Sequence, residues 1–392
     1  MAATTDGSSV APASAPDWEK WLPFCKQLPK VELHAHLNGS IRDATIRELA
    51  DKRGPKGLLA EDAHTLTSKG DRSLADCFKL FDVIHQLTTE HDTITRITRE
   101  VVADFAADSV VYLELRTTPK HRPEVGMTKQ SYVEAVLAGL MDAKIATNDD
   151  PPQPPSSQKA EMLEDTREAT SRSNGAKAAT FDERRTGIIV GLILSIDRRE
   201  SGEAALETVQ LAHSLRHRGV VGIDLSGNPT VGSWATFLPA LQWARAYGLP
   251  LTLHCGEVPN AEEVRAMLAF RPERVGHVCC LAEPEWQQLL DAKIPVEACL
   301  TSNIKTESIS SFAAHHFALL YKDDHPVAIC TDDSGVFSTS LSQEYAIVAA
   351  SFGLTADHVF SVARHSVEYI FASESVKQKL RRTFVRGQTH KQ

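Results

Sequence analysis

Eight short runs of apolar and β-branched residues recur along the chain and predict β-strands. Each run is apolar at nearly every position rather than at alternate ones, which is typical of strands buried on both faces of a parallel sheet. The predicted strands cover residues 31–37, 110–115, 187–196, 220–225, 249–254, 274–279, 295–300 and 326–330.

Amphipathic or Ala/Leu-rich stretches separate these runs and predict helices, for example at 201–218, 234–247, 261–269 and 283–292. Strands that alternate with helices along the chain indicate a parallel sheet covered by helices. Eight such units predict an α/β fold of the (β/α)8 TIM-barrel class, with extra helices after the first strand. The length of 392 residues fits one such barrel with insertions, so we predict a single domain over residues 17–392.

Two segments lack the composition of a packed core. Residues 1–16 are rich in Ala, Ser, Thr and Pro, and residues 148–180 combine four prolines with a charged, Ser- and Ala-rich stretch. We expect a disordered tail at 1–16 and a disordered insertion at 148–180. Because the insertion follows a helix and precedes the third strand, we expect it on the face of the barrel opposite the active site.

Polar clusters lie at the ends of four predicted strands. His34 and His36 stand two residues apart on an apolar segment, so on a strand they point to the same face and can reach one ion. Barrel enzymes carry their chemistry at the carboxyl ends of the strands. A third His and an Asp would complete a His₃Asp set, which suits Zn²⁺ and leaves an open position for water. The other clusters are His254-Cys255-Gly256-Glu257, Gly276-His277 and Thr331-Asp332-Asp333.

Each cluster also has an ordinary structural interpretation. The chain holds 16 His, so a single His-x-His pair is weak evidence for a metal site. His277 and Glu257 could each be a buried residue with its hydrogen bonds satisfied, and Asp332-Asp333 could cap a helix. The common position of all four clusters at strand ends favours the metal-hydrolase interpretation.

These motifs together resemble a known family. The segment Leu-Pro-Lys-Val-Glu-Leu-His-Ala-His-Leu-Asn-Gly-Ser at 28–40, with the later HCGE, GH, SN and TDD elements, is similar to the adenosine deaminase superfamily. Within that superfamily it resembles the adenosine deaminase-like branch, the N6-methyl-AMP deaminases. The resemblance covers roughly residues 20–385, apart from the insertion.

The resemblance implies a role for each of these residues. It implies one zinc ion per chain, Glu257 as the proton donor to the purine ring, and His277 and Asp333 as the groups that position and activate the attacking water. The zinc ligands it implies are His34, His36, His254 and Asp332. The substrate contacts it implies are His36, Asn38, His85, Thr117, Thr118, Pro119, Lys120, Asp197, Gly227 and Asp333.

The chemistry of hydrolytic deamination requires the same parts. Attack at purine C6, which turns N6-methyl-AMP into IMP and methylamine, needs an activated water, and zinc lowers the pKa of bound water toward ~7. The ring nitrogen N1 must also gain a proton, so Glu257 must start protonated, as a water-poor pocket favours. No Lys ends the third or fourth strand, which argues against a second, bridged metal.

Asn38 favours a nucleotide over a nucleoside substrate. The nucleoside deaminases of the superfamily carry Asp at this place, and a carboxylate about 4 Å from a 5′-phosphate costs roughly 1 to 4 kcal/mol. The turn from Thr117 to Lys120 adds two hydroxyls and an ammonium group. Arg198 and Arg199 either strengthen the local positive field or lie on the solvated surface.

Other functions stay open at this point. A nucleoside adenosine deaminase or an adenine deaminase would share every predicted metal ligand. A catalytically silent purine-binding protein would have no use for Glu257, His277 and Asp333 together. A metal phosphoesterase is disfavoured by the lack of a second-metal Lys.

Composition limits the partners. With 42 basic and 51 acidic residues the net charge is −9, which argues against nucleic acid or a membrane surface as a partner. The partner that the resemblance implies is a small-molecule purine nucleotide. No apolar run is long enough for a membrane span, and residues 1–16 lack the basic start and apolar core of a signal peptide. Seven Cys without a Cys-x-x-Cys pair indicate reduced thiols and a cytoplasmic protein. We expect a monomer.

Overall fold

An eight-stranded parallel sheet forms the centre of the computed structural model, which describes residues 17–53, 74–146 and 187–389. Within these ranges each strand pairs in parallel with the next one along the chain. The predicted disordered tail at 1–16 and insertion at 148–180 lie outside the described residues. The strands are β1 Lys30–His36, β2 Val110–Thr117, β3 Ile189–Asp197, β4 Val220–Ser226, β5 Leu251–Cys255, β6 Arg274–His277, β7 Val296–Ala298 and β8 Val327–Ile329.

The sheet closes on itself where β1 meets the residues that follow β8. Ala35 and Asp332 form a parallel bridge. The amide of Asp332 donates to the carbonyl oxygen of His34 at 2.7 Å, and the amide of His36 donates to the carbonyl oxygen of Asp332 at 3.0 Å. The predicted (β/α)8 barrel is therefore confirmed.

Helices surround the barrel. Three of them, Asp43–Arg53, Leu74–Leu87 and His91–Ala107, lie between β1 and β2, so the prediction of extra helices after the first strand is confirmed. No helix of the described ranges has the length and apolar composition of a transmembrane span. The remaining α-helices are Leu22–Gln27, Lys129–Ala146, Gly202–Ser214, Trp234–Ala246, Ala261–Phe270, Glu283–Ala292, Leu300–Lys305, Phe317–Lys322, Ser334–Phe337, Leu341–Phe352, Ala356–His365 and Glu374–Thr389.

Two strands, β6 and β7, end two residues earlier than the apolar runs predicted. β6 stops at His277 because His277 and Val278 adopt left-handed backbone conformations, with φ of 67° and 52°. β7 stops at Ala298 because the chain enters the short helix Leu300–Lys305. Hydrophobicity alone does not distinguish a buried strand from the buried turn that follows it. Both turns bring polar side chains onto the carboxyl rim of the barrel.

The barrel interior beneath this rim is polar. Arg116, Arg274 and Glu297 are almost fully buried there. Arg274 Nε donates to Glu297 Oε1 at 2.6 Å, and Arg116 Nη2 donates to Glu297 Oε2 at 2.8 Å. Arg274 also pairs with Glu114, and Arg116 Nη1 lies 3.5 Å from Asp224. Buried charges persist when they are paired and hydrogen-bonded, so this network forms a rigid charged floor under the rim.

Candidate active site

A cavity opens at the carboxyl rim of the barrel, and the empty space within it and at its open mouth is about 910 Å³. Side chains from the ends of the strands form its base, and the helix Leu74–Leu87 contributes to its wall. The lining includes His36, Asn38, Gly39, Phe78, Phe81, His85, Arg116, Thr117, Thr118, Lys120, Asp197, Arg199, Gly227, His254, Glu257, His277, Ser302, Asn303, Asp332 and Asp333. This is the position that the fold gives to the active site of a barrel enzyme.

The four predicted zinc ligands converge at the base of the cavity. His254 Nε2 lies 3.1 Å from His34 Nε2 and 3.2 Å from His36 Nε2. Asp332 Oδ1 lies 3.5 Å from His34 Nε2 and 3.4 Å from His36 Nε2. Three imidazole nitrogens and one carboxylate oxygen thus face a common centre, which is the donor set preferred by Zn²⁺.

Two buried carboxylates set the orientation of these imidazoles. Glu297 Oε2 lies 2.7 Å from His34 Nδ1, and Asp224 Oδ1 lies 3.0 Å from His254 Nδ1. An ionised carboxylate can only accept, so each Nδ1 carries a proton, and the Nε2 atoms of the two rings face each other with at most one proton between them. The lone pairs of such facing nitrogens repel unless a cation lies between them, so the donor set fits a bound metal ion.

Burial and neighbouring charge shift the acidities of this cluster in opposite directions. Burial raises the pKa of the Asp332 carboxyl, but His34 and the other imidazoles hold it well below its usual range. Burial and the adjacent Asp332 raise the pKa of the Asp333 carboxyl well above its usual range. Burial lowers the pKa of His254, yet Asp224 raises it to about 9. A metal ion would take the place of that proton.

His277 lies close to the same centre. One ligand atom each from His34, His254, His277 and Asp332 falls within 4.8 Å of the others. His277 Nε2 is buried and has no hydrogen-bond partner among the described residues, and Glu257 Oε1 lies 3.9 Å from it. The structure therefore brings together five side chains that could bind a metal, of which the sequence predicted four as ligands and His277 as a catalytic group.

Two glycines let loops approach the site closely. A side chain at Gly39 would overlap the Asp333 carboxylate, because its Cβ would lie 1.6 Å from Oδ1. Gly227 has a φ of 95°, and a Cβ there would lie 2.9 Å from Asp197 Oδ1. Glycine adopts this backbone with the least strain, and Gly227 lines the cavity. Its contact with a substrate stays a prediction.

Asn38 belongs to a buried hydrogen-bond chain. The Tyr132 hydroxyl donates to Asn38 Oδ1 at 3.3 Å and is itself 2.7 Å from Thr117 Oγ1. Because the amide oxygen of Asn38 is engaged, its amide nitrogen is the group that can donate to a ligand in the cavity. Pro119, predicted as a substrate contact, is buried and is not part of the cavity lining.

The cavity has two positively charged side chains in its lining, Lys120 and Arg199. Lys120 lines it, and burial lowers the pKa of its ammonium to about 8, against the opposing effect of Asp197. Arg199 Nη2 donates to Asp197 Oδ2 at 2.7 Å. Although burial raises the pKa of Asp197, Arg199 holds it below its usual value. Burial and Lys120 lower the pKa of the neighbouring His85 well below its usual range, so this ring is neutral.

Arg198 and Arg199 have separate environments. Arg199 lines the cavity with a half-exposed side chain. Arg198 is buried, donates to Glu263 Oε1 at 2.6 Å and to the carbonyl oxygen of Val231 at 3.1 Å, and does not line the cavity. Of the two, only Arg199 can act on a ligand in the cavity.

Several residues that support the site were not predicted from the sequence. Asp224 and Glu297 orient two imidazoles, and Ser302 Oγ donates to Asp332 Oδ2 at 2.7 Å. A sequence signal existed for the two carboxylates, because each is a charged residue inside an otherwise apolar strand run. An isolated charge buried in a strand requires a partner, which a sequence alone does not identify.

Comparisons with known proteins agree on one family. A profile of the adenosine deaminase family matches residues 29–148 and 154–386. The chain is 53% identical over 364 residues to the N6-mAMP deaminase of Arabidopsis thaliana, covering 93% of this chain and 98% of that protein. It is 39% identical over 378 residues to the N6-methyl-AMP deaminase of Bos taurus, covering 94% and 96%. The solved structure of Arabidopsis ADAL complexed with IMP superimposes with a TM-score of 0.82 at 50% identity, covering 94% of this chain and 99% of that one.

Proposed function

The chain belongs to the adenosine deaminase family, and from this premise we propose that it is a zinc-dependent hydrolase that converts N6-methyl-AMP and related N6-substituted AMP into IMP and the free amine. One observation carries the proposal. His36, His254 and Asp332 of the His₃Asp cluster line the same cavity as Glu257, Asn38 and Lys120. Relatives named for this reaction, and a relative with IMP bound, support the same substrate.

The base of the cavity would hold one zinc ion per chain. When bound, the zinc supplies a water whose pKa is lowered toward neutrality. Glu297 and Asp224 keep the Nε2 lone pairs of His34 and His254 turned toward the ion. The ligands would be His34, His36, His254 and Asp332.

Three side chains serve the reaction at C6. The water oxygen attacks C6, and Glu257 donates its proton to the ring nitrogen N1, which breaks the aromatic system of the pyrimidine ring. Asp333, whose buried Oδ1 has no hydrogen-bond partner among the described residues, accepts the proton of the water. His277 orients the water. Asp333 then passes that proton to the departing nitrogen, the C6–N bond breaks and methylamine leaves. The C6 hydroxyl gives up its own proton, which restores Glu257, and becomes the carbonyl oxygen of IMP.

The same cavity carries groups that favour a nucleotide over a nucleoside. The Asn38 amide is neutral, and Lys120 and Arg199 bring positive charge to the lining of the same cavity. A phosphate dianion there would raise the lowered pKa of Lys120 and so stabilise its charged form. His85, the Thr117 and Thr118 hydroxyls and Asp197 supply further hydrogen-bonding groups.

A substrate panel tests the proposal. Pure protein is incubated with N6-methyl-AMP, AMP, N6-methyladenosine, adenosine and adenine, and the loss of adenine absorbance is followed together with the release of methylamine or ammonia. We expect N6-methyl-AMP to have the highest kcat/KM. Preferred turnover of adenosine would favour the alternative, a nucleoside adenosine deaminase. No turnover of any of the five would favour a purine-binding protein without activity. That the protein is a cytoplasmic monomer without a nucleic-acid partner stays a prediction of the sequence.

A further inference from the structure

Beyond the residues assigned above, we propose that Asn303 and His315 are positioning residues that hold the His277 imidazole in a single tautomer, with its proton on Nε2. The proposal deepens the proposed function, on which only its kinetic consequence rests. It is carried by a chain of three hydrogen bonds whose directions are fixed by chemistry, starting from a backbone amide.

The first hydrogen bond determines the tautomer of His315. The backbone amide of Phe317 lies 3.0 Å from His315 Nδ1, and a backbone N–H can only donate. His315 Nδ1 is therefore an acceptor without a proton. Burial, with the nearby His316 and His277, lowers the pKa of His315 to about 2, so the ring is neutral. Its one ring proton must lie on Nε2.

The second and third hydrogen bonds determine which ring nitrogen of His277 accepts a hydrogen bond. His315 Nε2 lies 3.1 Å from Asn303 Oδ1, so the amide oxygen of Asn303 accepts and its nitrogen faces the other way. Asn303 Nδ2 lies 3.1 Å from His277 Nδ1 and can only donate. His277 Nδ1 is thus an acceptor without a proton, so the ring proton of His277 lies on Nε2.

The position of the chain argues for a role in the site. Asn303 lines the cavity, whereas His315 is buried behind it and does not line it. His277 Nε2 is buried, has no partner among the described residues and lies 3.9 Å from Glu257 Oε1. The backbone of His277 is left-handed, with a φ of 67°, so the fold holds this ring in place against a local conformational cost.

The tautomer decides what His277 can do. A ring with a proton on Nε2 has no lone pair there, so it neither binds a metal through that atom nor accepts a proton on it. It donates a hydrogen bond to the oxygen that attacks C6, and this bond strengthens as negative charge develops on that oxygen. The fixed tautomer therefore separates His277 from the four ligands, although its nitrogen lies close to them.

Two substitutions at His315 test the chain kinetically. His315→Met is of similar size but removes the donor to Asn303, so kcat for N6-methyl-AMP should fall by roughly 10² to 10³-fold, the scale for one lost donor, while KM and zinc content stay nearly unchanged. His315→Gln keeps an N–H that can reach Asn303 Oδ1 and should recover most of the kcat. His325→Met is the matched control, because His325 is buried, bonds the carbonyl oxygen of Ile294 and lies outside the cavity lining.

The control should change stability but not kcat. If His315→Met turns over like the wild type, or if His315→Gln and His315→Met are impaired equally, the positioning role is wrong. In the second case His315 would act on packing alone.

A spectroscopic measurement tests the tautomer without substrate. In the zinc-loaded protein labelled with ¹⁵N in its imidazole rings, the His277 signals are assigned by their loss in His277→Asn. We expect the nitrogen chemical shift of an unprotonated Nδ1 and a protonated Nε2. A protonated Nδ1 would overturn the proposal whether or not the His315 variants fold. If the wild type shows the expected tautomer but does not deaminate N6-methyl-AMP, the proposed function fails and the positioning role stands.

Discussion

The amide of Asp332 donates to the carbonyl oxygen of His34 at 2.7 Å, so two predicted metal ligands are also the residues that close the barrel. The side chains of the same pair face each other, with Asp332 Oδ1 3.5 Å from His34 Nε2. The backbone contact that closes the sheet therefore also places two of the donor side chains beside each other. A metal ion bound by these side chains would link β1 to the residues that follow β8 a second time.

Removing a ligand should therefore cost both metal and stability. We expect elemental analysis to find about one zinc per chain in the wild type and almost none in His254→Ala, which should be inactive. Removal of the metal from the wild type by a chelator should lower its Tm, because a ligand that binds only the folded state stabilises it. A His254→Ala protein with full zinc occupancy would contradict the ligand assignment.

Glu257→Gln should separate binding from chemistry. Gln has nearly the same size but no proton to transfer to N1, so kcat should fall roughly 10²-fold or more, the scale of general acid catalysis. Zinc content and affinity for IMP should stay close to those of the wild type, which calorimetry and elemental analysis can measure. Near-normal turnover would show that another group protonates the ring.

Asn38→Asp should discriminate nucleotide from nucleoside. Asp can still accept the hydrogen bond from Tyr132, since Asn38 accepts it through its oxygen, so the fold should be kept. Repulsion of about 1.4 kcal/mol between the new carboxylate and the phosphate should raise KM for N6-methyl-AMP roughly 10-fold. KM for N6-methyladenosine should change much less.

A matched control is Asn260→Asp, which adds the same charge at an exposed helix N-cap outside the cavity lining, where Asp caps as well as Asn. Its KM for the nucleotide should match that of the wild type.

Lys120→Ala should weaken nucleotide binding in a salt-sensitive way and spare any nucleoside activity. Equal effects of Asn38→Asp and Lys120→Ala on nucleotide and nucleoside would place the phosphate elsewhere.

Glu344 should make stability depend on pH. Burial raises the pKa of this carboxyl to about 7, although hydrogen bonds from Thr301 and Thr339 oppose the shift. A raised folded-state pKa gives stability that is complete below the unfolded value of 4.5 and is lost as pH rises through about 7. Relative to Glu344→Gln, which does not titrate, the wild type should lose roughly 2 to 3 kcal/mol between pH 4 and pH 8.

Urea unfolding of both proteins at the two pH values measures this difference. Glu90→Gln, the same substitution at an exposed helix N-cap without a side-chain cap bond, should show almost no such change. A stability difference between wild type and Glu344→Gln that is the same at both pH values would show that Glu344 does not titrate in this range.

The sequence by itself determined the barrel and the rim of residues at its carboxyl end. Continuous apolar runs can only be buried on both faces, and parallel strands bring their carboxyl ends to one rim whatever their exact lengths. For this reason His34, His254, His277 and Asp332 could be placed together although 298 positions separate the first from the last. The same reasoning located Lys120 after the second strand, whereas Asn38 was assigned from the family resemblance.

Only the tertiary structure decided the partner of each polar group. His34 finds Glu297 263 residues away in sequence, and Arg198 turns to Glu263 instead of the cavity. The tautomer of His277 depends on His315, which no local pattern connects to it. Hydrophobic burial depends on the type of each residue and its neighbours in sequence, so it can be read from the chain. The direction of a hydrogen bond depends on atoms that only the folded backbone brings within about 3 Å.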